Sequence, residues 1–204
     1  DGINDALEES LALNPFVKDN DVFADTPLGR RLFVQQQFRD FLGREGDAAG
    51  VDFWVSEITA GRQTRTSMAE TFFNSAEFQN TLAPVARLYF ATYLRIPDYG
   101  GLLFWVGEFQ KGTPLPNIGQ VFATAAEFQQ RYGTLGNRDY IDRLYQNILG
   151  RPADQAGIDF WTGQLNAGTT RGAMLVNFSE SGEYRARINN AVYVNAMYVA
   201  FLRR

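Results

Sequence analysis

Acidic side chains that could bind a calcium ion are concentrated at the start of the chain. Asp1, Gly2 and Glu8 have the spacing of the second half of a calcium-binding loop, in which glycine forms the sharp turn and glutamate binds through both oxygens. The alternative is a capped helix over residues 5–13 with acidic residues at its positive end. We expect calcium, as a cofactor, to bind this segment only, through Asp1, Asp5, Glu8, Asp19 and Asp21.

Three regularly spaced tryptophans could bind sugar, because an indole ring can stack on the apolar face of a pyranose. They are Trp54, Trp105 and Trp161. Each also shares a helical face with aliphatic residues, as Trp54 does with Val51 and Ile58, so core packing is the favoured interpretation. We therefore expect the three indoles to be buried. Exposed indoles would favour binding of an exopolysaccharide or another glycan.

The amino-acid composition excludes most classes of catalytic site. The chain has no histidine and no cysteine, which excludes serine–histidine and cysteine–histidine catalysis, thiolate zinc sites and disulfides. A hydrolase that uses two carboxylates remains chemically feasible, but 23 acidic residues produce many accidental pairs. We expect no catalytic residues and no enzyme activity.

Charge and hydropathy restrict the partners. A net charge of −4 disfavours nucleic acid, whose phosphates need a basic surface. No apolar run reaches the roughly 20 residues that span a bilayer. The chain lacks an initiator methionine and its last repeat is incomplete, so we expect it to be a fragment of a longer protein.

The sequence contains three copies of one pattern, and this repeat positions the residues described above. A leucine ends a helix, an aspartate follows, and then come glycine at Asp+3, tryptophan at Asp+7, a second glycine seven residues later and an acidic–aromatic pair. The acidic and glycine positions are Asp47, Gly61 and Glu77, then Asp98, Gly112 and Glu127, then Asp154, Gly168 and Glu183. Repetition at this period is typical of stacked helical units.

Each repeat is predicted to contain four helices. The aspartate is either the N-cap of the second helix or the first residue of a type I turn, and the sequence leaves both open. The second glycine ends that helix. Asn74 and Thr124 are predicted to open capping boxes with the glutamates that follow three residues later. These glutamates and Glu183 are also predicted to pair with arginines after the first helix, at a joint between units: Arg44, Arg95 and Arg151.

The second copy departs from the pattern. Aligned on the helix-ending leucines, Leu94 to Asp98 has one residue fewer than the equivalent loops and lacks their Gly-Arg pair. We expect a tighter loop there, and no ligand binding at that copy.

The predicted fold is all-α, with tandem four-helix units stacked as a helical array behind a short acidic segment. The boundaries are residues 1–27 for the calcium-repeat-like segment and linker, 28–82, 83–133 and 134–189 for repeats 1 to 3, and 190–204 for the first helix of a truncated repeat 4. That last helix is strongly apolar, so we expect an exposed patch and head-to-tail association, as a homo-oligomer or polymer.

The segment Asp139 to Leu165 resembles the bacterial family labelled domain of unknown function 4214, through LY…LGR-x-x-D-x-x-G-x-x-FW…L followed by F-x-x-S-x-E-F/Y. The scheme is similar to phycobilisome linker domains, and residues 1–21 look like thrombospondin type 3 or dockerin-like calcium repeats. The resemblance implies a secreted, cell-surface or extracellular-matrix protein of a bacterium. We expect a non-enzymatic structural or protein-interaction module, with binding of extracellular polysaccharide as the alternative.

Overall fold

The computed structural model describes residues 24–202, which form helices and no strand, as the sequence predicts. The first repeat contains α1 (Pro27–Leu42), α2 (Ala48–Thr59), α3 (Arg65–Phe73) and α4 (Ala76–Asn80). The second contains α5 (Leu82–Tyr93), α6 (Tyr99–Gln110), α7 (Leu115–Thr124) and α8 (Ala126–Tyr132). The third contains α9 (Asn137–Leu144), a π-helical turn (Tyr145–Leu149), α10 (Gln155–Asn166) and α11 (Arg171–Ser179), and α12 (Gly182–Leu202) follows.

The second helix of every repeat starts at its aspartate. The side chains of Asp47, Asp98 and Asp154 accept a hydrogen bond from the backbone amide three residues later, at 2.8, 2.7 and 2.7 Å. Each carboxylate therefore satisfies an orphan amide of the first helical turn. Of the two interpretations that the sequence left open, the structure has the N-cap.

Helix α12 joins two predicted elements. The fourth helix of repeat 3 and the first helix of repeat 4 form one helix of 21 residues. No proline or glycine interrupts residues 183–202, so nothing in the local sequence stops the helix. The predicted boundary at residue 190 falls inside it. In its final turns Val192 and Ala196 are buried, whereas Val194 and Tyr198 are exposed.

The described residues group into two compact units, 24–75 with 196–202, and 76–195. In the first unit, α1 packs on α2 and α3. Its core is aromatic and contains Phe33, Phe41 and Met68, all fully buried. The boundaries of the sequence repeats stay predictions, because this grouping follows contacts and not repeats.

In the second unit α5 is buried along its whole length, and the closest helix pair is α7 with α11. These two helices approach at Gly119 and Gly172. A methyl group on Gly119 would lie 2.6 Å from the carbonyl oxygen of Gly172, and one on Gly172 would overlap the backbone of Gln120. The two backbones touch because neither position carries a side chain.

One ion pair fastens repeat 2 to repeat 3. Arg87 on α5 donates from Nε and Nη2 to the two carboxylate oxygens of Glu180, at 2.7 and 2.6 Å. The arginine side chain is only 5% exposed. No helix within residues 24–202 is both long and apolar enough to cross a membrane.

Candidate binding site

The loop between the first two helices has the same length in all three repeats. The first helix is capped by a left-handed residue, Gly43, Leu94 or Gly150, and the aspartate follows four residues later. Leu94 therefore occupies the glycine position, with φ of 53°. The predicted shorter, tighter loop in the second copy is wrong, because alignment on Leu94 placed the repeat one residue out of register.

In the corrected register an aromatic ring of the first helix faces a phenylalanine of the third. The pairs are Phe38 with Phe72, Tyr89 with Phe122 and Tyr145 with Phe178, with ring centroids 5.0, 4.6 and 5.2 Å apart. The glycine at Asp+3 makes room for this ring. A methyl group on Gly157 would lie 2.5 Å from the Tyr145 hydroxyl.

The tryptophans lie beside these pairs but are not enclosed. Trp54, Trp105 and Trp161 each contact the third-helix phenylalanine, with centroids 5.3, 5.4 and 5.6 Å apart, and all three are half-buried. The prediction of buried indoles is therefore wrong. The phenylalanine of the third helix fills the core at this level, and the indole covers it from outside.

A phenylalanine precedes each tryptophan and is more exposed still. Phe53, Phe104 and Phe160 are 56, 58 and 57% exposed. Each packs edge-on against its tryptophan, with ring centroids 5.3, 5.0 and 4.8 Å apart. We call these three Phe-Trp units the aromatic pairs. Sequence reasoning missed the phenylalanines, although their repetition one residue before each tryptophan was a visible signal.

The arginine after the first helix stacks near the same place. Arg44, Arg95 and Arg151 lie over Phe38, Tyr93 and Tyr145, with the guanidinium carbon 5.2, 5.4 and 5.1 Å from the ring centroid. Such contacts combine cation–π attraction with apolar packing.

Arg95 and Arg151 each pair with the glutamate of the fourth helical segment of their own repeat. Arg95 donates to both oxygens of Glu127 at 3.0 and 3.1 Å, and Arg151 to both oxygens of Glu183 at 2.6 and 2.9 Å. These hydrogen bonds hold the pKa of each carboxyl below its ordinary value. Both partners belong to one repeat, so these pairs do not join units, whereas Arg87 with Glu180 does.

The predicted capping boxes are absent. Helix α8 has Ala125 as its N-cap, with no side-chain cap, and the Thr124 hydroxyl donates backward to the Val121 carbonyl. The Asn74 amide likewise donates to the Glu70 carbonyl and lies at the end of α3. Both side chains satisfy the helix that they end, not the helix that follows.

The second glycine of the pattern behaves as predicted for a helix end. Gly61, Gly112 and Gly168 have φ of 69, 98 and 104°, one residue past the cap of the second helix. Only glycine adopts this conformation without strain.

A cavity of about 180 Å³ opens in the third repeat. Its lining contains aromatic rings, which we call its floor, and charged or amide groups, which we call its rim: Tyr145, Phe178 and Trp161, and Arg151, Glu183 and Asn177. We call it the third-repeat cavity. Tyr145 and Leu149, which also lines it, both belong to the π-helical turn, a distortion found often at functional sites.

The family model described as domain of unknown function (DUF4214) matches residues 20–82 and 119–188. The chain belongs to this family. The unmatched stretch between the two matches contains most of the second repeat, including Leu94 and Trp105. No curated protein and no solved structure matches the chain.

The calcium prediction for this DUF4214 chain lies outside the described residues. Asp1, Asp5, Glu8, Asp19 and Asp21 all precede residue 24. Within residues 24–202 no group of three or more acidic side chains comes together as a metal site.

Proposed function

We propose that this chain is a non-enzymatic interaction module of a secreted or cell-surface bacterial protein, and that its aromatic pairs bind a second copy of the chain. The main support is that, at the same position in all three repeats, a phenylalanine more than half exposed packs against a half-buried tryptophan. Single exposed apolar residues are ordinary, but an exposed aromatic pair that recurs at the same position of all three repeats is not.

A second copy is the partner that this arrangement favours. Two identical chains offer equivalent pairs at equivalent spacing, so each contact formed would promote the next. Aromatic side chains are enriched in protein interfaces because they bury a large area at a small cost in side-chain entropy. Calcium bound by the N-terminal acidic segment could organise such an assembly in the longer protein, through Asp1, Asp5, Glu8, Asp19 and Asp21.

Sedimentation of the chain over a range of concentrations tests this proposal. We expect wild type to associate as the concentration rises, and the triple variant Phe53→Ser, Phe104→Ser, Phe160→Ser to stay monomeric with unchanged helical content. Leu28→Ser removes an exposed apolar side chain that belongs to none of the pairs and serves as the control. A monomeric wild type at about millimolar concentration would refute self-association, because even a weak specific dimer forms there.

The half-buried tryptophans support a second function, binding of extracellular polysaccharide. Each indole keeps part of its ring accessible, and Trp161 lines a cavity together with a basic and an acidic side chain, Arg151 and Glu183. Retardation in native gels containing a neutral glucan or galactan would test it. Equal mobility in gels with and without each polysaccharide would argue against this function.

A further inference from the structure

We propose that the third-repeat cavity binds one neutral pyranose ring, as a residue of an extracellular polysaccharide. This inference rests on the second function proposed above, and it assigns that function to one site and one class of ligand. Four observations support it: the size of the cavity, its charge, its free polar groups and its differences from the other repeats.

The size of the cavity restricts the ligand. At about 180 Å³ it is smaller than the roughly 300–1,000 Å³ of pockets for drug-sized molecules, so it suits a single ring. Its floor is aromatic, with the half-buried Trp161 beside the buried Tyr145 and Phe178. A flat ring with C–H groups on one face complements such a floor.

The charge of the rim favours a neutral ligand. Arg151 and Glu183 face each other through two hydrogen bonds, so their charges cancel locally. An anionic ligand would have to displace Glu183, and a cationic one Arg151. Both side chains are partly exposed, at 43 and 44%. Together they offer hydrogen-bond donors and acceptors, which suits hydroxyl groups because a hydroxyl group both donates and accepts.

Asn177 supplies the polar group that distinguishes this repeat. Its exposed amide makes no side-chain hydrogen bond with any residue in the described range, and it lies on the cavity wall. A side-chain amide can donate and accept at once, as recognition of a vicinal diol requires. The equivalent residues are Val121 in repeat 2, and Thr71 in repeat 1, whose hydroxyl donates to the Ser67 carbonyl.

A short peptide is the competing ligand, since a proline or aromatic side chain could also contact the indole. The rim favours the sugar, because it offers separated polar side chains and no free backbone edge for a peptide to pair with. Peptide recognition of that kind uses main-chain hydrogen bonds or aromatic grooves longer than one ring.

The test is an NMR titration of the three indole N–H signals with methyl pyranosides of glucose, galactose, mannose and N-acetylglucosamine. We expect at least one sugar to shift the Trp161 signal selectively, with a dissociation constant on the order of 1–10 mM, as befits a ligand of about a dozen heavy atoms. Asn177→Val, which installs the residue of repeat 2, should weaken binding about tenfold, since it removes hydrogen bonds to hydroxyl groups.

Matched variants keep the result interpretable. Trp161→Ala should abolish binding, whereas Trp105→Ala removes an equivalent aromatic contact and should leave the sugar affinity unchanged. The inference is overturned if no pyranoside shifts the Trp161 signal at sugar concentrations up to about 50 mM, well above the expected dissociation constant. It is equally overturned if Asn177→Val binds as wild type, or if a proline-rich peptide shifts the signal and the sugars do not. Polysaccharide retardation that survives Asn177→Val would leave the proposed glycan function standing and refute this site.

Discussion

Three bidentate arginine–glutamate pairs in the second unit use the same chemistry in two different regions. Arg95–Glu127 and Arg151–Glu183 lie at the surface, each within one repeat. Arg87–Glu180 is largely buried and connects repeat 2 to repeat 3. The surface pairs occur at repeated sequence positions, whereas the buried pair occurs once. The surface pairs therefore follow the repeat, whereas the buried pair joins two repeats at positions whose residues vary from one copy to the next.

Replacing each arginine with alanine should give the largest difference in the free energy of unfolding between the two regions. Arg87→Ala leaves Glu180 partly buried without its partner, so we expect a loss of about 3 kcal/mol in the free energy of unfolding. Arg95→Ala breaks an exposed pair and should cost less than about 1 kcal/mol. Urea unfolding followed by circular dichroism measures both.

A third variant separates charge from packing at the joint. Arg87→Met keeps most of the side-chain volume while removing the charge. Equal losses for Arg87→Met and Arg87→Ala would assign the effect to the unpaired glutamate. Equal losses for Arg87→Ala and Arg95→Ala would contradict the distinction between joint and surface.

The glycine contact between α7 and α11 should give the next largest effect. Gly172→Ala places a methyl group against the backbone of Gln120, which cannot move away as a flexible side chain could. We expect a loss of about 1–3 kcal/mol by overpacking, measured by the same urea unfolding.

Gly163→Ala is the matched control for the glycine contact. Gly163 lies inside α10, and nothing surrounds the space that a methyl group would occupy. Alanine there should stabilise the chain by up to about 1 kcal/mol, because glycine is a poor helix former. A destabilising Gly163→Ala would show that helical glycines matter here for reasons other than close approach.

The sequence predicted well what each repeat does by itself. The helical segments and the glycines that end the second helix follow from local hydrogen bonding and backbone conformation, which short segments largely determine. The aspartate N-cap was one of two interpretations that the sequence left open. Tryptophan burial could not be predicted in this way, since an amphipathic face shows which side of a helix packs but not how completely a neighbour covers it. The Arg87–Glu180 pair could not be predicted, because the equivalents of Arg87 are Gln36 in repeat 1 and the exposed Arg143 in repeat 3. The third-repeat cavity depends on the π-helical turn, which the sequence does not reveal, and on Asn177, whose equivalents are Thr71 and Val121.

The smallest expected effect concerns the cap of α5, where the second repeat departs from the first and third. Leu94 is left-handed at a position that is glycine in the other two repeats, a conformation that costs a leucine about 1–2 kcal/mol. Leu94 is partly exposed, so little burial is lost when its side chain is removed. Since glycine also adds freedom to the unfolded chain, we expect Leu94→Gly to stabilise by a net of about 0.5–1 kcal/mol.

Leu149→Gly is the control, because aligning the helix-ending leucines would equate Leu149 with Leu94. Leu149 ends the π-helical turn and precedes Gly150, so glycine there should destabilise by about 1 kcal/mol or more. Opposite signs for the two variants in thermal unfolding would support the structural register, and two losses of similar size would support the leucine alignment instead.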